Sequence, residues 1–419
     1  MTDLTLKITK RRSVIATIWV LSILTTGLFV NVFASVTSTT PWTLNAPPTS
    51  TWDYFVSTYS NGTFYVESAD WQTWTNYADC TSAINAALAL VPVNGGVVRV
   101  QGNNVHWNQA AGSTILMRTN NTLILDHVYI KKGAGANEPI IANIDQTNGN
   151  YGMSIIGIAP YSYLDGSPED ATCRNEPVKA IYIQNNNNVV GYNQVCHIEN
   201  IKAASYGNVF DVQTTGANPV EFYHCQAGDL GYGYVGFRIG FNIFAGDSYL
   251  INCGSNAYRE ALYMVGGTLI AEGNYFGGGG ASGSERRAMV YLKNDKRSQF
   301  SNNLLDAGYA NGIFLENTNY TTWTNTRIRF NDFLDANNTW SGIVLENSFY
   351  NQFGVTYVGR WDLDVVDYLK YGYYENGTSN WNQITNFISN VGTAGIITSG
   401  ANTNVIGVNG TTEVNTFSP

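Results

Sequence analysis

A short apolar-x-apolar segment recurs about every 27 residues through much of this 419-residue chain. This repeat limits the possible folds more than any other feature of the sequence. The clearest copies are GIFLEN (312–317) and GIVLEN (342–347), which begin 30 residues apart. Related segments are IYIQN (181–185), FDVQ (210–213), FRIG (237–240), LYMV (262–265), VYLKN (290–294) and IITSG (396–400). Each period has room for two or three short strands joined by Gly- and Asn-rich turns.

A repeat built only of short strands predicts a β-solenoid, in which each coil stacks on the preceding one at about 4.8 Å. A βαβ repeat is excluded because no long helix fits within one period. A propeller blade needs about 40–50 residues and therefore fits poorly. We expect an all-β parallel β-helix of about a dozen coils between residues 96 and 410.

A short amphipathic pattern precedes the first coil. The sequence predicts a helix over about residues 79–91, which Asp79 or Thr81 can cap and Pro92 ends. Its apolar face carries Ile84, Ala87 and Leu88. Such a helix would cover the open edge of the first coil, which would otherwise invite aggregation.

The entry segment also carries a family resemblance. ADCTSAINAALALVPVNGGVVRVQG (78–102), followed by TNNTLILDHVYI (119–130), resembles the start of right-handed parallel β-helix proteins of the pectate-lyase-like superfamily, the pectin lyase fold. That superfamily includes polysaccharide lyases, polygalacturonases and phage tailspikes, together with non-catalytic members. The resemblance covers roughly residues 76–410 and implies a right-handed coil and a polysaccharide partner. The NTD, DD, GHG and RIK series of polygalacturonases and the RxPxxR motif of typical pectate lyases are missing from the sequence.

The first 34 residues have the pattern of a targeting segment. Basic KITKRR (7–12) precedes an apolar run from Ser13 to Val30, and Val32-Phe33-Ala34 offers small residues for cleavage. The pattern predicts a signal peptide over 1–34, and an uncleaved anchor is the alternative because the run approaches spanning length. We therefore expect an extracellular or cell-surface protein that touches a membrane only through this segment.

Three further regions follow the targeting segment. Residues 35–75 read as a spacer and an aromatic-rich N-terminal segment, 76–410 as the parallel β-helix, and 411–419 as a C-terminal tail. With a net charge of −9, a pI near 4.9 and no further basic run, the chain does not have the composition of a nucleic-acid-binding protein. The sequence leaves the oligomeric state open.

Several sequence features fit an exported chain. Six sites match the N-x-S/T glycosylation pattern, namely Asn61, Asn120, Asn319, Asn337, Asn376 and Asn409. The five cysteines are too few, and odd in number, for a disulfide scaffold. Cys196, Cys225 and Cys253 can stack inside the coils as small apolar side chains, or two of them can form a disulfide between coils.

In each repeated segment the first and third residues are apolar and face the core, so the second and fourth face outward. The second positions are Tyr182, Asp211, Arg238, Tyr263, Tyr291, Phe314 and Val344. The fourth positions are Gln184, Gln213, Gly240, Val265, Lys293, Glu316 and Glu346. Aromatic rings beside amides suit sugars, so Tyr182, Tyr263, Tyr291 and Phe314 are candidate substrate-binding residues. Alternatively, these outward stacks only stabilise neighbouring coils.

The charged outward residues are the candidate catalytic groups. Glu316 and Glu346 fall on successive coils, with Lys293 on the coil before. Two carboxylates one coil apart can share a proton, bind a cation or flank a glycosidic bond. The simpler alternative is a Lys293–Glu316 ion pair of little energy. Asp211 and Arg238 would be neighbours in one column, with Arg238 a candidate base of the lyase type.

A segment with three carboxylates, Asp165, Glu169 and Asp170, can be a Ca²⁺ site or an ordinary acidic loop, and no other cofactor is expected. Charged residues make up only 13% of the chain, which carries 49 Asn and 42 Gly. This composition and the missing catalytic motifs favour a surface protein that engages polysaccharide, or a cell-envelope glycan, as a glycan-binding or structural component. The alternative function is a polysaccharide lyase or glycoside hydrolase.

Overall fold

The computed structural model of the chain contains one helix and 35 strands among the residues that it describes. It describes residues 53–416, apart from 59–63, 69–73, 103–105, 134–136, 159–161, 167–177, 186–194, 206, 215–218, 229–238, 257–258, 279–287, 308–309, 331–339, 361–368, 390–393 and 407–413. The predicted signal peptide and spacer lie outside the described residues. Among those described, no helix is long and apolar enough to cross a membrane.

The strands are short and follow one another closely along the chain. The first eighteen are β1 Tyr54–Thr58, β2 Phe64–Ser68, β3 Trp74–Tyr77, β4 Gly96–Gln101, β5 His106–Gln109, β6 Ile115–Met117, β7 Asn121–Asp126, β8 Tyr129–Lys132, β9 Ile141–Asn143, β10 Met153–Ile158, β11 Ser162–Gly166, β12 Ile181–Asn185, β13 Cys196–Glu199, β14 Ile201–Ser205, β15 Phe210–Thr214, β16 Val220–Tyr223, β17 Gln226–Ala227 and β18 Ile239–Phe244. The others are β19 Ser248–Ile251, β20 Gly254–Asn256, β21 Glu260–Val265, β22 Leu269–Glu272, β23 Tyr275–Gly278, β24 Ala288–Lys293, β25 Gln299–Ser301, β26 Leu304–Ala307, β27 Asn311–Glu316, β28 Thr322–Phe330, β29 Ser341–Glu346, β30 Gln352–Arg360, β31 Tyr371–Asn376, β32 Gln383–Ser389, β33 Ala394–Thr398, β34 Asn404–Ile406 and β35 Val414–Thr416.

These strands form two sheets that wrap one core. Sheet 2 has twelve parallel strands, one for each coil: β6, β9, β12, β15, β18, β21, β24, β27, β29, β31, β33 and β35. Sheet 1 has 23 strands, and most of them form two parallel rows. Row A runs from β4 through β7, β10, β13, β16, β19, β22 and β25, and row B from β5 through β8, β11, β14, β17, β20, β23 and β26. Both rows continue through the long strands β28, β30 and β32.

Within a coil the chain passes from row A to row B, then to sheet 2, and returns to row A of the next coil. This path gives the fold its class, a right-handed parallel β-helix of about a dozen coils. The prediction from the 27-residue repeat is therefore confirmed. The core between the rows is continuous and apolar, and its largest side chains include Trp107, Trp323, Phe222 and Phe353.

The cap helix, α1, spans Cys80–Leu90. Asp79 is its N-cap residue, because the Asp79 side chain accepts a hydrogen bond from the Ser82 amide at 2.8 Å. Ile84, Ala87 and Leu88 are fully buried, as the apolar face predicted. The preceding aromatic-rich residues contribute strands β1–β3, an antiparallel arrangement in which β1 also pairs in parallel with β4. The first row A strand therefore has a strand paired on its outer side.

The sharp corners between strands depend on left-handed residues. Asn200, Asn252, Asn302 and Asn325 have φ between 48° and 56° in the corner from row A to row B. Asparagine adopts this conformation more readily than most residues because its side chain can hydrogen-bond locally. Glycine is the second residue of strands β27 and β29 for a different reason. A Cβ at Gly312 would lie 2.5 Å from Ile328 Cγ2 and 2.6 Å from the Gly342 carbonyl oxygen.

The structure corrects the register of one predicted coil. The sheet 2 strand of that coil is β18, so Phe241 and not Phe237 pairs with Phe210. Phe241 stacks on Phe210 with ring centroids 5.0 Å apart and meets Phe222 edge-on at 5.4 Å. The sequence FRIGFNIF carries the apolar-x-apolar pattern twice, and packing against these rings decides between the two copies. Strand β35 extends sheet 2 beyond residue 410, into the predicted C-terminal tail.

The described cysteines are free and buried, namely Cys80, Cys196, Cys225 and Cys253. Cys225 and Cys253 lie on adjacent coils, where the Cys225 amide donates to Cys253 Sγ at 3.3 Å. Cys196 is not in this stack, because it pairs with Met153 and Val220 at the start of row A strands. Two of the three predicted cysteines therefore stack, and they do so without a disulfide.

Candidate functional site

The outward side chains of sheet 2 form two columns along the coils, as the repeat predicted. Column one contains Tyr182, Asp211, Asn242, Tyr263, Tyr291, Phe314, Val344 and Tyr374. Column two includes Gln184, Gln213, Phe244, Val265, Lys293, Glu316, Glu346 and Asn376. The columns stand side by side because successive side chains on one face of a strand are two residues apart.

Arg238 does not take its predicted place in column one. The register pairs Asp211 with Asn242, and β18 begins at Ile239. Arg238 itself lies outside the described residues. Gly240 is likewise replaced, since Phe244 pairs with Gln213 in column two. The prediction that Asp211 and Arg238 are neighbours in column one is therefore corrected. The cause is the shift of register, which places Asn242 beside Asp211.

Column one carries a run of aromatic rings. Ring centroids are 4.8 Å apart for Tyr263 and Tyr291, and 5.2 Å apart for Tyr291 and Phe314. Phe244 of column two meets Tyr263 edge-on at 5.7 Å. Tyr291 is only 5% exposed, while Tyr263 and Phe314 are half-buried. The rings thus support one another, and two of the three keep surface that a ligand can contact.

Glu316 lies beside these rings and is held from two sides. Lys293 Nζ is 2.8 Å from Glu316 Oε1, and the Tyr291 hydroxyl donates a hydrogen bond to Glu316 Oε2. The Glu316 side chain is 16% exposed and that of Lys293 is 34% exposed. The simpler alternative from the sequence, an ion pair between Lys293 and Glu316, is therefore formed. These contacts fix the carboxylate of Glu316 in position.

Glu346 occupies the next coil and pairs in register with Glu316. Its side chain is half-buried, and it makes no hydrogen bond or ion pair to any residue in the described part of the chain. The two carboxylates thus differ in their surroundings although they stand on neighbouring strands. Such an asymmetric pair can accept hydrogen bonds from sugar hydroxyls, or act as an acid and a base.

Asp211 is the centre of a second polar cluster on column one. Its carboxylate lies 2.7 Å from Lys179 Nζ and accepts a hydrogen bond from Asn242 Nδ2 at 2.8 Å. Asn208 and Gln213 donate at 3.2 and 3.3 Å. Asp211 is only 1% exposed, so its oxygens are occupied and hidden. These contacts indicate that Asp211 has a structural role and positions its strand.

Tyr182 belongs to the same cluster. Lys179 Nζ lies 3.7 Å from the centroid of the Tyr182 ring, and the Tyr182 hydroxyl donates to Gln184 Oε1 at 2.6 Å. Burial and the charge of Asp211 raise the pKa of Tyr182. The Tyr182 ring is half-buried, as those of Tyr263 and Phe314 are. It differs from them because the Lys179 cation lies over its face.

The predicted calcium ligands are not brought together in the part of the chain that is described. Asp165 lies in strand β11, where it is fully buried and accepts a hydrogen bond from the Tyr129 hydroxyl at 2.6 Å. The expectation that it belongs to an exposed loop is therefore corrected. Glu169 and Asp170 lie outside the described residues. No group of three or more candidate metal ligands occurs among the residues that the structure describes.

Sequence reasoning missed a cluster on the outer face of row A. His197 Nδ1 lies 3.0 Å from Glu221 Oε2, and His197 Nε2 lies 3.1 Å from Glu199 Oε2. The Tyr223 ring centroid is 5.3 Å from that of His197. Burial is the main cause that raises the pKa of Tyr223, and the charges of Glu221 and Glu199 add to it. The alternation of HIE (197–199) and EFY (221–223) is the signal that could have found it.

Three of the six glycosylation patterns lie in the described region. Asn120 and Asn376 are exposed. Asn319 is half-buried, and its Oδ1 accepts a hydrogen bond from the Phe349 amide at 2.9 Å. Asn61, Asn337 and Asn409 fall outside the described residues. That any of the six sites carries a glycan stays a prediction.

Comparisons with known proteins show the fold and no closer relationship. No family model matches the chain, and no curated protein matches its sequence. The A-module of mannuronan C-5 epimerase AlgE6 from Azotobacter vinelandii matches with a TM-score of 0.50 and 14% identity over 79% of this chain and 95% of the A-module. Tailspike protein 2 of Escherichia coli O157:H7 bacteriophage CAB120 matches with a TM-score of 0.55 and 11% identity over 83% of this chain and 49% of the tailspike. The chain therefore has the pectin-lyase-like fold.

Proposed function

We propose that this protein engages polysaccharide through the outer face of sheet 2, as an exported glycan-binding or structural surface protein. The observation that carries the proposal is the run of aromatic rings in column one beside the polar groups of column two. The CH faces of a sugar pack on such rings, and its hydroxyls need fixed donors and acceptors. Lys293, Glu316 and Glu346 supply these groups on three successive coils.

The geometry favours binding over catalysis. Glu316 is occupied by Lys293 and Tyr291, and Asp211 is occupied by four donors and buried. Asp211, which is 1% exposed, lacks the exposure that proton transfer to a bound sugar would use. Binding needs only fixed hydrogen-bonding groups and open ring surface, which Tyr263 and Phe314 provide. Two proteins that share the fold, a mannuronan C-5 epimerase and a phage tailspike, are consistent with this class of partner.

The experiment is a binding assay on a glycan array that covers polyuronides and neutral chains. We expect the full chain to bind at least one glycan, and the variant Phe314→Leu to bind it at least tenfold more weakly. Leucine keeps an apolar side chain but removes the ring on which a sugar stacks. The matched control is Tyr275→Leu, which removes another partly exposed ring, on row B and away from sheet 2. Unchanged binding by the Phe314 variant would refute the site.

The alternative function is a polysaccharide lyase or glycoside hydrolase, and one observation favours it. The side chain of Glu346 makes no hydrogen bond or ion pair to the described residues and stands next to Glu316, as an acid–base pair would. The test is turnover of the bound glycan, followed as new reducing ends and unsaturated products. Catalysis predicts activity that Glu346→Gln abolishes while binding persists. A complete lack of turnover on every bound glycan would leave binding as the function.

A further inference from the structure

Three exposed aromatic residues line the corner where the chain passes from sheet 2 to row A. Tyr320, Tyr350 and Trp381 are 54%, 44% and 52% exposed. The rings of Tyr320 and Tyr350 are parallel to within 3°, with centroids 5.0 Å apart, and those of Tyr350 and Trp381 are 6.2 Å apart. Tyr350 stands between the other two rings in this stack, and about half of each residue remains exposed. We call these three residues the aromatic ridge.

The backbone of the ridge is strained. Tyr320, Tyr350 and Trp381 have φ of 62°, 58° and 59°, in the left-handed region that bulky side chains rarely adopt. Asn120, which precedes strand β7 in the same corner, has φ of 60° and is a residue that suits this conformation. On three successive coils, therefore, an aromatic residue holds a backbone conformation that costs the fold free energy. Strain of this kind is concentrated at functional sites.

An uncharged part of row A adjoins the ridge. The row A segments of four successive coils are QFS (299–301), TWT (322–324), QFG (352–354) and QIT (383–385), and none contains a charged residue. Their middle residues are buried, and Phe300 and Trp323 stack with centroids 3.8 Å apart, which packs the neighbouring strands together. The first and third residues point outward. We call these outward positions the amide face.

The polar groups of the amide face are available. The side chains of Gln352, Gln383 and Thr322 make no hydrogen bond to any residue in the described ranges. Gln352 is exposed, and Gln383 and Thr322 are half-buried. Because the strands are in register, these donors and acceptors repeat once per coil in a straight line. Their spacing is close to the length of one sugar residue in an extended chain.

We propose that the aromatic ridge and the amide face together bind a neutral, extended polysaccharide, at a second site separate from the sheet 2 columns. Sugar rings pack on the exposed surface of Tyr350 and Trp381, and their hydroxyls bond to the amides of Gln352 and Gln383. The four row A segments carry no charge, so the amide face itself offers a polyuronide no cation, and the exposed Lys296 and Arg297 lie in the corner one coil before Tyr320. A rigid surface with fixed groups binds at a lower entropic cost than a flexible one.

The test uses the full chain and the double variant Tyr350→Asn/Trp381→Asn. Asparagine suits the left-handed backbone, so the variant is expected to unfold at a temperature no lower than the unmodified protein. Depletion from solution is measured on three insoluble neutral glucans, namely cellulose, curdlan and amylose, with polygalacturonate as the acidic comparison. We expect binding to at least one neutral glucan, and at least tenfold weaker binding by the double variant.

The matched control is Arg297→Asn, which removes an exposed side chain with φ of 69° from the same corner but takes away no ring. Its binding to the neutral glucan should stay within about twofold. Equal binding by the folded double variant, or no depletion onto any of the three glucans, would overturn the proposal. Phe314→Leu should leave this binding intact, so failure of the sheet 2 site and failure of this one are told apart.

Discussion

Asparagine is the residue that this fold uses most at its corners. Asn302 and Asn325 turn the chain with left-handed backbones. Asn274 and Asn303 each follow a left-handed corner residue, are buried, and hydrogen-bond to each other between adjacent coils. Asn274 Nδ2 donates to Asn303 Oδ1 at 3.0 Å, and Asn303 Nδ2 donates to the Ala271 carbonyl oxygen at 3.0 Å. The 49 asparagines of the composition therefore have a structural cause, which is that the same corner recurs on every coil.

Asp295 is an acidic residue at one of the corners between strands. It is fully buried, at a position that Thr318 and Ser348 occupy on the next two coils. Neither carboxylate oxygen has a hydrogen-bond donor in good geometry among the described residues. Burial raises the pKa of the Asp295 carboxyl from 3.8 to about 7, although Ser298 and the Lys296 amide lie near enough to offset part of this effect. The folded protein therefore binds this proton more tightly than the unfolded chain does.

We predict that this carboxyl destabilises the fold as the pH rises. Because its pKa is higher in the folded state, the free energy of unfolding falls between about pH 4 and pH 7 and then levels off. Each pKa unit corresponds to about 1.4 kcal/mol, so the expected loss is of the order of a few kcal/mol. Denaturant unfolding of the unmodified protein and of Asp295→Asn at pH 4.5 and 7.5 measures it.

The comparison with Asp295→Asn is needed because burial also raises the pKa of Glu67 to about 7. Both proteins keep Glu67, so the difference between them isolates Asp295. We expect the variant to gain stability relative to the unmodified protein as the pH rises. A difference that is the same at both pH values would show that the buried carboxyl does not titrate in this range.

At the scale of elements, the cap helix offers a clear test. Removing the Asp79 side chain leaves the Ser82 amide without its acceptor at the start of α1. We expect Asp79→Ala to lower the free energy of unfolding by about 1 kcal/mol. Asp79→Ser restores a capping oxygen and should lose only a few tenths of that amount. Denaturant titration measures both, and equal losses for the two variants would contradict a capping role.

The elements were predictable where one pattern stood alone and not where two overlapped. GIFLEN and GIVLEN gave strands β27 and β29 in the correct register, with Glu316 opposite Glu346. FRIGFNIF gave the wrong strand because both halves alternate equally well. Strand β31 (YGYYEN) went unnoticed because its buried position is filled by Tyr373 instead of an aliphatic residue. A period-2 pattern identifies a strand but does not fix its partner.

For the molecule as a whole, export is the expectation that the N-terminal sequence makes. We predict that the protein recovered from a secreting host begins at Ser35, because Val32 and Ala34 satisfy the small-residue rule for cleavage. The intact mass measures this directly. Replacing Ala34 with leucine should block cleavage and leave the chain attached to the membrane fraction. A full-length mass for the unmodified, membrane-bound protein would favour the anchor.

The sequence by itself determined the coil, its repeat length and the outward face of the sheet 2 strands whose pattern it showed clearly, such as β27 and β29. It did so because a strand has a period of two and a solenoid repeats each local solution on every coil. Only the tertiary structure decided which of the outward residues are exposed to solvent. Tyr291 and Asp211 face outward and are nevertheless buried, while Tyr320, Tyr350 and Trp381 are exposed at a corner that the strand pattern does not describe. Exposure depends on neighbours from other coils, and those contacts are set by register and by the corners, which a local pattern does not specify.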